Sequence, residues 1–559
     1  MTTGRNKVFL LGLDGATFDL LDPWMQAGHL PNLSLLRQEG AWGELQSTRP
    51  PSTAPAWTAC VTGVNPGQHG IFDFRESPLV DPRRPLVSSG SIRAPTLWHI
   101  ISHHGRDVGV LNVPITYPPT PVRGILVGGM MTPGPASDYT YPGALKDVLN
   151  ARGYVIDLEI QKYDAEAQED ALRFLDDVAE SLQRRSETLL FLMDRYPWDF
   201  FMAVFVAFDR IQHLFWKTLA DPTSRFYHAR SAPGIRARIL SIYQAADKFV
   251  GRLMPLMASE GADLIVVSDH GFGPTRAWFN ANRWLQEEGW LRLKPAAALR
   301  KRAFYEAMKV HDSQLVKALV PRQLARTVRG RIRGGRSAFK TDLDHCIDWP
   351  RTQAFFASIP AQGIYINVKR GAGDAHGSVE PGAEYETLRS SIAQRLRELK
   401  DPRTGRPIID RVWRREEVYR GPFTPYAPDL GFVAGDYSVL GRELLGTRAP
   451  LESSENWSNG FHRMNGIFMA WGPHVRHAVS LQGATMLDIS PTVLYVMDLA
   501  VPDNMEGHVL YEALDPDLQA ARPLRYEPAL GTEASMQQAY SADEQADISG
   551  RLAALGYIE

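Results

Sequence analysis

Residues 262–273 read Ala-Asp-Leu-Ile-Val-Val-Ser-Asp-His-Gly-Phe-Gly: an apolar run, Leu264 to Val267, closed by Asp269, His270 and glycine. An apolar run of about four to eight residues bounded by polar or glycine residues reads as a buried strand. The same grammar recurs elsewhere in the chain. Val8 to Leu13 ends in Asp14, and Phe201 to Phe208 ends in Asp209, with His213 four residues on. His462 stands just before a further run, Ile467 to Ala470.

Two of these strands follow helices. Leu172, Leu175, Val178, Leu182 and Leu189 recur at helical spacing ahead of Asp209. Ile239, Ile242, Ala246, Phe249 and Leu253 do the same ahead of Asp269. Helix then buried strand, twice over, predicts an α/β chain, an α/β/α sandwich with a largely parallel central sheet. Such sheets collect ligands just beyond the carboxyl ends of their strands. Asp14, Asp209 and Asp269 are therefore expected on one edge, where a mixed Asp/His set suits zinc or manganese.

A hydroxyl completes the set. Residues 48–74 read TRPPSTAPAWTACVTGVNPGQHGIFDF. Pro50, Pro51 and Pro55 are expected to keep the stretch before Trp57 from starting as a helix, with a short helix from Ala56 to Val61. A Thr at the mouth of such a turn can present its side chain to an anion, which makes Thr53 a candidate nucleophile and metal ligand. Ser52 is a rival nucleophile. Cys60 reads as a structural thiol on an apolar helix face, and Trp57 suits either a pocket wall or the core. Singly, each candidate also has a plain reading. Asp14 before Gly15 suits a turn, Asp209 and His213 suit an i,i+4 pair, Asp269 to Gly273 another turn, and His462 a lone core histidine.

The order Asp14, Thr53-x-Pro55, Asp209-x-x-x-His213, Asp269-His270, Gly460-x-His462 resembles the alkaline phosphatase superfamily, in particular its type I phosphodiesterase/nucleotide pyrophosphatase branch. Thr53-Ala-Pro-Ala-Trp57, Val61-Thr-Gly63 and Pro66-x-x-His69-Gly70 resemble the nucleophile segment of that branch. Asp488-Ile-Ser-Pro-Thr-Val-Leu494 and Val501-Pro-Asp-Asn-Met-Glu-Gly507 resemble the closing strand and turn of the core. Within the branch the chain is similar to a bacterial and archaeal subgroup of predicted phosphohydrolases and phosphomutases. All the plain readings would have to hold together, in the superfamily's order, to displace this one.

The resemblance implies two divalent metal ions, zinc or else manganese. Asp209, His213 and His462 would hold one; Asp14, Asp269, His270 and the Thr53 oxygen would hold the other. It also implies a phosphothreonine intermediate at Thr53, later hydrolysed by water. The expected function is a metal-dependent phosphoester hydrolase, a phosphodiesterase more than a monoesterase. The alternatives are a phosphomutase or phosphotransferase on a sugar- or lipid-linked phosphate, and a non-catalytic metal-binding receptor of phosphorylated ligands. Ala56 stands where the branch commonly carries an asparagine that donates to a phosphoryl oxygen, which counts against nucleotide pyrophosphatase activity in particular. The Cys/Ser-x-Pro-x-Arg segment of sulfatases and the serine segment of cofactor-independent phosphoglycerate mutases are both absent from the sequence.

The expected organisation is a discontinuous catalytic core, 1–285 and 350–510, a basic helical cap, 286–349, and a C-terminal helical tail, 511–559. Residues 71–165, rich in proline and glycine, read as elaborated loops with a strand at Gly124 to Val127. Arg292 to Lys340 carries 14 Lys and Arg against two acids, Glu306 and Asp312. That field suits gathering anionic phosphate substrates; a partner that is an anionic lipid or lipid-linked phosphate is a second reading, and sparse aromatics disfavour nucleic acid. The 559 residues carry a net charge of only −2, so no global electrostatic argument points to nucleic acid or membrane. Two cysteines, Cys60 and Cys346, suggest reduced thiols rather than a disulfide framework. With no signal segment and no apolar run of membrane length, a cytoplasmic location is expected.

Overall fold

The computed structural model describes residues 5–164, 167–312, 343–371, 374, 376–455, 459–531 and 539–558. The chain divides into two compact units. The first comprises Met1–Pro274, Val418–Ala427 and Trp457–Leu555; the second comprises Thr275–Glu417, Pro428–Asn456 and Gly556–Glu559.

The first unit is built on a nine-stranded sheet. Its strands from the first part of the chain are β1 (Lys7–Leu13), β2 (Ala41–Gln46), β3 (Val108–Val113), β4 (Gly124–Gly128), β5 (Thr140–Tyr141), β6 (Phe200–Phe205) and β7 (Ala262–Val267). Strands Asn465–Trp471 and Val479–Thr485 complete it. The central strands run in the order β7-β1-β6-β3-β4, every neighbour parallel. β5 and Asn465–Trp471 pair antiparallel with their neighbours, so the sheet is largely parallel. β3, β6 and β7 are buried at every position, as strands covered on both faces must be. The long helices Gln168–Arg195 and Ala232–Glu260 turn the predicted apolar stripes inward, apart from Leu172, which is half-buried. The α/β fold expected from the sequence is the fold observed.

Local boundaries differ in informative ways. The apolar run after Asp199 is a strand only as far as Phe205; a helix, Ala207–Ala220, takes over and puts Asp209 in its first turn. The proline-rich stretch does not delay the next helix to Ala56. That helix is Thr53–Thr62, with Pro55 in its first turn, where the missing N–H costs nothing. Residues 71–165 hold β3 as well as the expected strand at β4. Residues Ile489–Val496, expected as the closing strand, are a helix, and Val501–Pro502 beyond it forms a short ladder with Tyr526–Glu527. The C-terminal Ala542–Leu555 is helical and buries Ile548, Leu552 and Leu555.

The second unit holds a four-stranded antiparallel sheet, a three-stranded sheet and the helix Ala383–Glu398. Part of the basic stretch lies here as the helix Pro295–Asp312, with Leu299 74 % exposed rather than turned into a core. Positions 313–342, the remainder of that stretch, lie outside the described residues. Among the described residues no helix is long and apolar enough to cross a membrane.

Candidate metal centre and active site

Adjacent parallel strands lie about 4.8 Å apart, so the ends of β7, β1 and β6 fall within two spacings of one another. Gly12 is level with Val267, and Leu13 with Phe205. Asp14 follows β1 directly, Asp269 follows β7 after one serine, and Asp209 lies in the first turn of the helix after β6. A carboxylate in a first helical turn is favoured by the helix dipole, and His213, four residues on, shares its face. His462 arrives from the strand Gly460–Arg463, which pairs antiparallel with β8 (Gly271–Pro274) and sets His462 opposite Phe272.

Asp14, Thr53, Asp209, His213, Asp269, His270 and His462 are thereby gathered in the first unit, none more than 2 % exposed. Asp209 Oδ1 stands 3.2 Å from His213 Nε2 and 3.4 Å from His462 Nε2, and these two nitrogens are 3.1 Å apart. Ligands about 2.0–2.1 Å from a tetrahedral zinc ion are roughly 3.3 Å from each other, so this triangle has the size of a metal face. His270 Nε2 is ringed by Thr53 Oγ1 at 3.2 Å, Asp269 Oδ2 at 3.2 Å and Asp14 Oδ1 at 3.7 Å. It also lies 4.0 Å from Asp209 Oδ1. Two groups of donors could hold an ion: Asp209, His213 and His462, and Asp14, Asp209 and His270. Asp209 belongs to both, whereas the family resemblance implied a place for it in one.

The histidines are oriented from behind. His270 Nδ1 faces Gly271 O and His462 Nδ1 faces Pro51 O, both at 3.1 Å. A carbonyl only accepts, so these Nδ1 atoms carry the protons and each Nε2 offers a lone pair to the site. The two rings stack at 3.5 Å, and Phe272 closes on His213 and His462 edge-on.

Charge at this buried site is unbalanced. Burial pushes Asp14 well above the usual carboxylate range, and Asp209 adds to the shift. Asp269 is raised likewise by burial, then by Asp14 and Asp209. Burial also opposes charge on Asp209, but His213, His462 and Arg210 outweigh it and hold its carboxyl well below that range. Burial keeps His270 and His462 neutral, His462 down to about 4. Asp14 Oδ1 and Asp269 Oδ2 are buried and accept no hydrogen bond. Orphaned carboxylate oxygens beside neutral imidazole nitrogens are what divalent cations satisfy, so the donor set fits the implied pair of ions.

Several supporting residues were not singled out for these roles from the sequence. Trp57 Nε1 donates to Asp14 Oδ2 at 3.0 Å, and Arg210 Nη1 to Asp209 Oδ2 at 2.6 Å. The Gly15 N–H donates to Asp269 Oδ1 at 3.3 Å. Gly15 has φ +74°, and a Cβ there would stand 3.2 Å from the Asp209 Cα, so the strand end requires glycine. Gln212, one turn past Phe208, ties its amide to Gly15 O. His69 has a structural role, its Nδ1 accepting from the Ile71 N–H, and Asn112 spends its amide on Val204 O. Cys60 is fully buried, and its thiol is pushed far up by burial.

A hydroxyl held among buried carboxylates and imidazoles at the ends of parallel strands is the layout of a metal-dependent phosphohydrolase. The chain belongs to the type I phosphodiesterase / nucleotide pyrophosphatase family, whose sequence pattern matches residues 8–465. Among solved structures it is similar to phosphonoacetate hydrolase from Sinorhizobium meliloti 1021 in complex with phosphonoformate, at 15 % identity and TM-score 0.50 over 89 % of this chain and 96 % of that one. Murine ectonucleotide pyrophosphatase / phosphodiesterase 5 aligns at 14 % identity and TM-score 0.47 over 91 % of this chain and 100 % of its own. At such identities the first likeness establishes the fold alone. No curated protein matches the sequence significantly.

Proposed function

We propose that the protein hydrolyses phosphodiesters through a covalent phosphothreonine at Thr53, with two divalent ions, zinc or manganese, at the strand ends. Asp209, His213 and His462 would hold one ion; Asp14, Asp269, His270 and Thr53 the other, with Asp209 near both. The observation that carries the reading is the Thr53 hydroxyl, fully buried at the start of a ten-residue helix and 3.2 Å from His270 Nε2.

Bound ions would supply Lewis acidity, lowering the hydroxyl's pKa and offsetting charge on the phosphoryl oxygens. The Thr53 hydroxyl gives up its proton to solvent, Oγ1 forms the new bond to phosphorus as the bond to the leaving alkoxide breaks, and the alkoxide takes a proton from water. The helix that begins at Thr53 turns its positive dipole end toward the phosphoryl group. Water then cleaves the phosphothreonine, restoring the hydroxyl and releasing a phosphomonoester. Ser52 precedes the helix as its N-cap residue, and the contact with His270 favours Thr53 over it as nucleophile.

The family implies a phosphoester substrate and nothing about a lipid, so no lipid partner is included. Both cysteines are buried free thiols, which supports the expected reducing, cytoplasmic compartment.

The test pairs metal analysis with a bis-aryl phosphodiester assay in oxygen-18 water. The expected result is close to two ions per chain, activity abolished by chelator and restored by zinc or manganese, and label in the product. Thr53→Ala activity at the wild-type level would end the reading. Unlabelled phosphoryl transfer to an added sugar hydroxyl would instead identify a phosphotransferase or mutase.

A further inference from the structure

Asp209 faces both donor groups with Oδ1, yet its other oxygen touches a full positive charge. Arg210 Nη1 stands 2.6 Å from Asp209 Oδ2, with the arginine side chain only 2 % exposed. A guanidinium so close to a ligand carboxylate attracts its charge and repels a dication, in a medium where such forces are strong. Behind Arg210 sits Asp157, its side chain 7 % exposed. Arg210 Nη2 reaches Asp157 Oδ2 at 2.9 Å and Nε reaches Oδ1 at 3.4 Å, a two-point grip. Asp157 is itself fixed, because the buried Arg185 donates to the carbonyls of Val155 and Ile156, at 3.0 and 2.8 Å.

We propose that Asp157 is a positioning residue for metal binding. By neutralising and orienting Arg210, it lets the guanidinium hold Asp209 Oδ2 in place without charging the site, and Oδ1 stays turned to the histidines. The proposal rests on the reading that Asp209 ligates metal. Asp157 lies 52 positions before Asp209 in a region that sequence assigns to loops, so it links that region to the centre.

Metal-free full-length protein is titrated with Zn²⁺ against a chromogenic chelator, and its thermal midpoint is recorded in parallel. The set comprises wild type, Asp157→Asn, Asp157→Glu, Arg210→Gln and the Asp157→Asn/Arg210→Gln double variant. Asp157→Asn, which removes the charge of one of the two carboxylates that grip Arg210, is expected to weaken the tighter Zn²⁺ constant about 10-fold or more. Asp157→Glu, which keeps the charge, should stay within a few-fold of wild type. The double variant should be no weaker than its worse parent, because the pair acts as one unit. Wild-type affinity in Asp157→Asn overturns the proposal, as does an equal loss in Asp157→Asn and Asp157→Glu. Losses that multiply in the double variant overturn it too. If Arg210→Gln does not fold, the Asn/Glu comparison at 157 decides alone. Wild-type protein that binds no Zn²⁺ refutes the functional reading itself, whereas two bound ions with an indifferent Asp157→Asn refute only this inference.

Discussion

The indole N–H of Trp57 donates to Asp14 Oδ2 across 3.0 Å, so the residue four positions past the candidate nucleophile orients a candidate ligand from the first strand. Asp14 Oδ1, left without a hydrogen bond, is the oxygen that approaches His270. Of the two readings offered by the sequence, the core holds: Trp57 is buried in the hydrophobic core, and its one polar atom also serves the site.

Removing only that donor tests the relationship. Trp57→Phe keeps most of the ring and loses the N–H. A hydrogen bond to a charged group contributes about 1.5–3 kcal/mol, and loss of a partner behind a ligand costs about 10-fold or more in metal affinity or activity. The expected outcome is kcat/KM on a bis-aryl diester reduced about 10-fold or more, with bound metal lost at a lower chelator concentration. Unchanged kinetics and retention would show that Asp14 needs no such support.

The same ring dictates a glycine. A Cβ at Gly12 would lie 2.4 Å from Trp57 Cη2 and 2.8 Å from Val204 Cγ2. Gly12→Ala should destabilise the first unit by about 1–3 kcal/mol, read as a lower urea midpoint. Combined with Trp57→Leu the penalty should be less than additive, since the shorter side chain vacates the space.

Metal removal should loosen the fold. Asp14, Asp209 and Asp269 repel one another in the metal-free cavity, and ions that bind only the folded chain stabilise it. At free metal about 100 times the dissociation constant the gain is about 2.7 kcal/mol. Calorimetry should show a transition lowered by chelator and restored by zinc; a transition indifferent to both argues against the site.

The pH dependence of the metal-free protein follows from His462, whose pKa falls to about 4 through burial. For a depressed pKa, the stabilisation is present above the unfolded value of 6.5 and disappears as pH drops through about 4. Its full size is about 3 kcal/mol at 1.36 kcal/mol per unit. Asp14, raised by burial and then by Asp209, and Asp269, raised by burial and then by Asp14 and Asp209, act in the opposite sense, losing stabilisation as pH rises through their folded values. Denaturation at pH 7 and pH 4 should therefore show wild type losing about 3 kcal/mol more than His462→Gln. Parallel pH profiles would contradict the burial assigned to His462.

The strand ends and most of the candidate site were legible in one dimension. Val8 to Leu13 and Leu264 to Val267 are strands, because burial on both faces demands unbroken apolar runs. Asp14, Asp269 and His270 sit where those runs stop. His213 was readable from its spacing to Asp209. β3 was missed because Asn112 and Pro114 punctuate it like a loop. The helix was placed three residues late, because Pro55 reads as a breaker unless it falls in the first turn, where no N–H is needed.

Sequence alone determined which residue types are the candidate ligands and nucleophile and the order in which the strands deliver them, since periodicity and punctuation are local properties. Tertiary structure alone decided that Asp209 is shared between both donor groups, and that Trp57 and the Arg210–Asp157 pair hold the carboxylates. Those contacts join side chains 43 and 53 positions apart, and no local pattern records which distant donor packing brings within 3 Å.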